Sequence, residues 1–134
     1  MDFEKQLMTH LDDILANLPS GLDRALLSIL RYHTGRDNAI PRDDLLEMLK
    51  MHGWETGDRA VRLQINLLRK QGHLICSAGG RGGGYYIARN WSELEDFIGQ
   101  ELKPRAMDLL EQEKALKVGA KREWGENSSQ LGLL

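Results

Sequence analysis

The chain has 134 residues, 41% apolar and 28% charged, with 18 basic and 20 acidic side chains and a net charge of −2. That length holds one compact domain with an arm or tail, and the composition excludes a fibre or a wholly disordered chain. No apolar run approaches the ~20 residues that span a bilayer, and a single cysteine, Cys76, excludes a disulfide framework and any zinc site of paired cysteines.

In chain order, Phe3, Leu7, Leu11, Ile14, Leu15 and Leu18 recur at three- and four-residue steps, which predicts an amphipathic helix over residues 3–18, ended by Pro19. This opening is no basic stretch followed by an apolar core, so no signal peptide is expected, and the location expected is cytoplasmic. Ser20 with Asp23 forms a capping-box-like start for a second helix, carried by Leu22, Leu26, Ile29 and Leu30 up to Gly35. Arg36, Asp37 and Asn38 are turn residues, leaving Ala39 and Ile40 as at most a tiny strand. Pro41 suits a helix start, and Leu45, Met48 and Leu49 give a third helix ending at Gly53. After a short turn at residues 54–57, Val61, Ile65 and Leu68 mark a fourth helix over 58–71, closed by Gly72.

Residues 74–77 and 85–88 are strand-sized runs, joined by a loop in which Arg81 sits among five glycines. Ser92 with Glu95 is a second capping-box signal, opening a long helical segment through Leu94, Ile98, Leu102, Ala106, Leu109, Leu110, Leu116 and Ala120. Pro104 should kink or restart it, since proline removes a backbone donor. Beyond Gly125 the chain reads as a flexible tail. The organisation expected is therefore an N-terminal helix (1–19), a central domain (20–91), a C-terminal helical segment (92–124) and a tail (125–134): mainly α with a small β-hairpin.

The charge is unevenly placed. Residues 54–91 hold six basic side chains against two acidic ones, whereas residues 1–53 and 92–134 each hold six basic and nine acidic. Phosphate binding needs local rather than overall positive charge, so a basic centre between acidic flanks points to nucleic acid.

The order helix, minimal strand, helix, short turn, helix, Gly-rich hairpin over residues 22–89 resembles the winged helix-turn-helix of prokaryotic and phage type. Residues 57–75 are similar to a recognition helix running through Gly72 into the first wing strand. The resemblance covers about half the chain, and this sequence departs from the pattern in a wing unusually rich in glycine and a turn containing Trp54. It implies double-stranded DNA binding, in transcription regulation or as a replication accessory factor.

The residues point to DNA on their own account. At 100° per residue, Val61, Ile65 and Leu68 share one face of the helix, while Arg59, Arg62, Asn66 and Lys70 fall on or towards the opposite face, with Leu63 among them. Arginine can bind guanine O6 and N7, asparagine can bind adenine, and Leu63 could touch a thymine methyl. Arg59, Arg62 and Asn66 are the expected base readers; Arg69, Lys70 and Arg81 are expected on phosphate or in the minor groove. The loop around Arg81 looks like a phosphate-cradling P-loop but lacks the following Lys-Ser/Thr and leads into a strand, so that reading is rejected.

Tyr85, Tyr86 and Trp91 are expected in core and strand packing; stacking of single-stranded DNA on the two tyrosines is a lesser possibility. His10, His33, His52 and His73 have no ligand-like spacing with Cys76, so no metal is expected, and Cys76 is expected as a buried strand residue. Nothing assembles a nucleophile, base and orienter; neither an enzyme nor a cofactor is expected.

Helix 3–18 and segment 93–122 exceed what a wing domain needs; their apolar stripes are buried either by folding back on the domain or by pairing with a second copy, and of the two a homodimer is expected. The last five residues, with Gln130, Leu131, Leu133 and Leu134, look like the peptide by which bacterial polymerases and their accessory proteins dock into the sliding clamp. That resemblance implies a polar subsite for Gln130 and an apolar pocket for the final pair, with Leu134 where phenylalanine is commoner. The rival to DNA binding is a winged-helix adaptor docking another protein through the same basic helix.

Overall fold

A computed structural model of the chain describes residues 21–80 and 83–125. The expected helix 3–18, Arg81 and the tail with Gln130, Leu131, Leu133 and Leu134 lie outside the described residues. The chain divides into two compact units, Met1–Leu94 and Glu95–Leu134. No helix among the described residues is long and apolar enough to cross a membrane.

In the first unit, Leu22, Leu26, Ile29 and Leu30 lie on one stripe of α1 (Leu22–Leu30), and all four are buried. Ser20, expected to open the capping box here, lies outside the described residues. Gly21 takes the N-cap position in the left-handed region with φ 85°, and no side chain caps the helix. Nor does α1 run on to Gly35: His33 N–H donates to the Leu30 carbonyl, and Gly35, at φ 92°, turns the chain into a short 3-10 segment at Arg36–Asn38. α2 (Arg42–Met51) follows Pro41, whose fixed φ suits the position ahead of the first turn, and buries Leu45 and Leu49. α3 (Asp58–Lys70) buries Val61, Gln64, Ile65, Leu67 and Leu68, and Gly72 reverses the chain at φ 94°.

Strands β1 (Ile75–Ala78) and β2 (Gly84–Ile87) form an antiparallel hairpin in which Ile75 faces Ile87 and Ala78 faces Gly84. Relative to the expectation from sequence, β1 begins one residue later and β2 one residue earlier. Leu74 is left half exposed, and Gly84 enters the ladder because its backbone passes against the Ile40 carbonyl. The tiny strand expected at Ala39 and Ile40 is a single bridge. Ile40 and Tyr85 exchange both backbone hydrogen bonds, each at 2.9 Å. Leu22, Leu26, Leu30, Leu45, Leu49, Val61, Ile65, Leu68 and Ile75 form the centre of the core, each at most 2% exposed. Among the described residues no buried side-chain nitrogen or oxygen lacks a partner.

The helix after the hairpin, α4 (Trp91–Phe97), begins before the expected Ser92–Glu95 box. Asn90 supplies the cap, its Oδ1 accepting from Glu93 N–H at 2.9 Å. Glu93 in turn accepts from Arg89 N–H at 2.9 Å and from Arg36 N–H at 3.2 Å, so one carboxylate holds the helix start and the 3-10 segment together. Trp91, expected to pack, is 77% exposed because α4 starts at that residue and turns its ring outward.

In the second unit, a π-helical stretch at Ile98–Leu102 passes into α5 (Lys103–Trp124), with Pro104 in its first turn. Pro104 thus restarts the helix, and the wider π turn absorbs the missing donor.

Two outcomes follow. A side chain at Gly84 would collide with the Ile40 backbone at φ 149°, while Gly79 faces open space. Gly84→Ala should therefore lose about 2 kcal/mol or more in urea unfolding, and Gly79→Ala within about 0.5 kcal/mol of nothing. Burial pushes the Cys76 thiol from about 9 up to about 11, against the pull of nearby Arg69. Because the unfolded chain ionises first, stability should be full below pH 9 and fall as pH rises towards 11. Cys76→Ala should flatten the part of that fall below pH ~10, before tyrosine ionises.

Candidate nucleic-acid interface

α3 has two unlike faces, and the core decides which is which. With Val61, Ile65 and Leu68 locked inward, Arg59, Arg62, Asn66 and Lys70 are turned to solvent, and Leu63 is half-buried between them. The helix supplies Gln64 on the buried side, so its outward polar residues are the ones with side chains long enough or of the right type to reach a ligand. Arg62 Nε meets Asp58 Oδ2 at 3.0 Å, one turn back along the helix. Both groups are well exposed, so this pair is worth little and leaves the guanidinium able to exchange partners.

Arg69 is placed differently. Its Nε donates to the Ile75 carbonyl at 2.7 Å and its Nη2 to Ser77 Oγ at 3.2 Å. The guanidinium is therefore turned back along β1, where it fixes the hairpin to the end of α3. In the described residues Arg69 is a structural tie between helix and hairpin, while Lys70 beside it stays exposed.

One cation not singled out by the sequence belongs to the same region. Arg42, at the start of α2, lies over the Tyr85 ring with its guanidinium carbon 5.8 Å from the centroid. The Tyr85 hydroxyl is raised above its ordinary range, first by burial, with Arg42, Arg69 and Arg62 pulling it down and Asp58 pushing it up. Charges from α2 and α3 thus converge on the opening of β2. An arginine after a proline at a helix start carries no distinctive signal. Its closeness to the hairpin exists only because Ile40 pairs with Tyr85.

The α2 surface also exposes Asp43, Asp44 and Glu47, with Lys50 further along. Asp44 and Glu47 line, with Asp37, His33, Ile40 and Met48, an open groove of about 530 Å³. That groove is unsuited to phosphate. Exposed cations stand on α3 (Arg59, Arg62 and Lys70) and at Arg42, and others at Arg24, Arg31, Arg36, Lys50 and Arg89.

Tyr85 and Tyr86 are each 3% exposed, so both rings are spent in packing and neither offers a face for stacking bases. Strand alternation alone would have left one of them outside; the Ile40 bridge and the start of α2 cover Tyr85, so both are inside. His33 and His52 each bond a backbone carbonyl through Nδ1, those of Asn38 and Met48. Among the described residues, no group of three or more His, Cys, Asp or Glu could hold a metal ion. The chain matches no protein-family model, and no curated protein or solved structure matches it.

Because Arg69 ties helix to hairpin through fork-shaped donors, Arg69→Ala should cost about 2 kcal/mol of stability, and Arg69→Lys should recover little of it. Urea midpoints of the three proteins check this.

Proposed function

We propose that this chain is a double-stranded-DNA-binding protein of winged-helix type. The observation that carries the reading is the outward face of α3, where Arg59, Arg62 and Asn66 stand exposed opposite the residues that hold the core. These are the residue types that read guanine and adenine edges in the major groove, presented on a helix whose inner face is immobilised. Lys70 and Arg42 flank them as phosphate contacts, and Arg81, which lies outside the described residues, is assigned to phosphate or the minor groove on its residue type alone. Arg69 is left out of the contact set because its donors serve the hairpin. The element order of the first unit and the Ile40–Tyr85 bridge support the winged-helix reading, since three helices backed by a hairpin and a one-residue third strand are what that architecture requires.

The biological role that fits is transcription regulation or a replication accessory factor. The second branch rests on the tail residues Gln130, Leu131, Leu133 and Leu134 and their resemblance to a sliding-clamp peptide.

One observation favours a second reading, a protein-docking adaptor: Asp43, Asp44 and Glu47, exposed on α2, would repel a DNA backbone and suit a partner with mixed charge.

Fluorescence anisotropy against a random duplex across a salt series separates the two. DNA binding should weaken steeply with salt, as counterions released by each neutralised phosphate require. Arg62→Ala should cost about 1–3 kcal/mol on a selected sequence and less on random duplex, whereas Lys70→Ala should weaken both about equally. Absence of binding at low salt would leave the adaptor reading.

A further inference from the structure

α5 carries a stripe of apolar side chains that the described residues leave uncovered. Leu109, Leu116 and Trp124 are 65%, 73% and 75% exposed. Leu102, Leu109 and Leu116 recur every seven residues, and Ala106, Glu113 and Ala120 fall four residues after each of them. At 3.6 residues per turn all six lie within an arc of about 80°, which is the a/d seam of a coiled coil with leucine at d and a small residue, or Glu113, at a. Met107, Leu110 and Val118 are exposed outside this arc, and the seam itself offers what one other helix can fill.

We propose that α5 pairs antiparallel with α5 of a second copy of this chain, centred near Glu111. The side chains select that partner and that direction. In this register Leu102, Leu109 and Leu116 of each copy pack over Ala120, Glu113 and Ala106 of the other, large over small along most of the seam. Ala106, Gly119 and Ala120 allow the helices to approach closely. A parallel in-register pair would instead set two Glu113 carboxylates side by side in the middle of the seam, and like charges there are destabilising. The antiparallel pair separates them, lays each Glu113 stem against the partner's Leu109, and brings its carboxylate within reach of the partner's Arg105. Within one copy, Glu113 is held by Lys117 Nζ at 2.9 Å, so its charge is already partly balanced inside the stripe. The pairing stands independently of DNA binding, because it uses none of the α3 surface.

Sedimentation equilibrium of the full chain should give a dimer at micromolar concentration. Leu109→Glu with Leu116→Glu should weaken association at least about tenfold while leaving the unfolding transition of the first unit in place. A nitroxide pair at Lys121→Cys, in a Cys76→Ala background, should report a separation of about 30 Å, as ten residues on each side of the centre at 1.5 Å rise require. A parallel pair would place the two labels side by side, and that result overturns the proposal. So does a monomer at every concentration, which would mean that the chain covers the stripe itself, and so does a dimer that survives the double glutamate variant. Glu113→Leu provides a check that does not burden the helix: association should tighten about tenfold and short label separations should appear, because the residue that sets direction is gone. Unchanged association in that variant also overturns the proposal.

Discussion

Two backbone hydrogen bonds between Ile40 and Tyr85 organise the first unit. They draw the segment between α1 and α2 onto the hairpin, and so set where α2 begins. Pro41 follows at once, so the direction of α2 is decided within one residue of the bridge. Arg42 then stands over Tyr85, and Tyr85 closes the core beside Leu45, Ile65 and Leu68. The passage is tight enough that position 84 requires glycine, whose missing side chain lets β2 pass the Ile40 carbonyl. A one-residue strand is sufficient here because the helices behind it, not its own ladder, supply the burial that holds it.

The hairpin is fixed from its other side by Arg69. Its guanidinium reaches from the last turn of α3 to Ile75 and Ser77, so the strand follows the helix as a rigid extension. Ile40 thus holds one strand of the hairpin and Arg69 the other. This is the geometry the proposed DNA reading needs: a helix whose contact residues do not share in the core, and a loop carried by anchored strands. In that proposed reading Arg69 would act through placement of the hairpin rather than through contact.

The two units meet different physical demands. In the first, apolar residues at helical spacing are consumed by a shared core, and every buried polar side chain has a partner among the described residues. In the second, α5 follows a π turn at Pro104 and carries leucines at seven-residue spacing that its own unit leaves exposed.

Periodicity alone determined that three helices lie between Leu22 and Gly72, though not where the first of them ends, and it determined the inward placement of Val61, Ile65 and Leu68 and the outward placement of Arg59, Arg62, Asn66 and Lys70. A helix has one repeat, and a stripe of leucines, isoleucines and valines has only one side on which to lose water, so the opposite face follows without tertiary information. The break at Pro104 was legible for a similar reason, since a missing N–H acts locally. Other features depended on groups distant in sequence. The cap at Asn90 prevailed over the Ser92–Glu95 pattern because Glu93 also serves Arg36, more than fifty residues away. Tyr85 and Tyr86 are both buried because a segment forty-five residues earlier crosses the hairpin. Arg69 and Lys70 are adjacent cations of the same apparent kind, yet one is tied to β1 and the other faces solvent. Composition cannot distinguish them, because an arginine's role is set by which acceptors the fold brings within reach, and those acceptors exist only once β1 has folded back against α3.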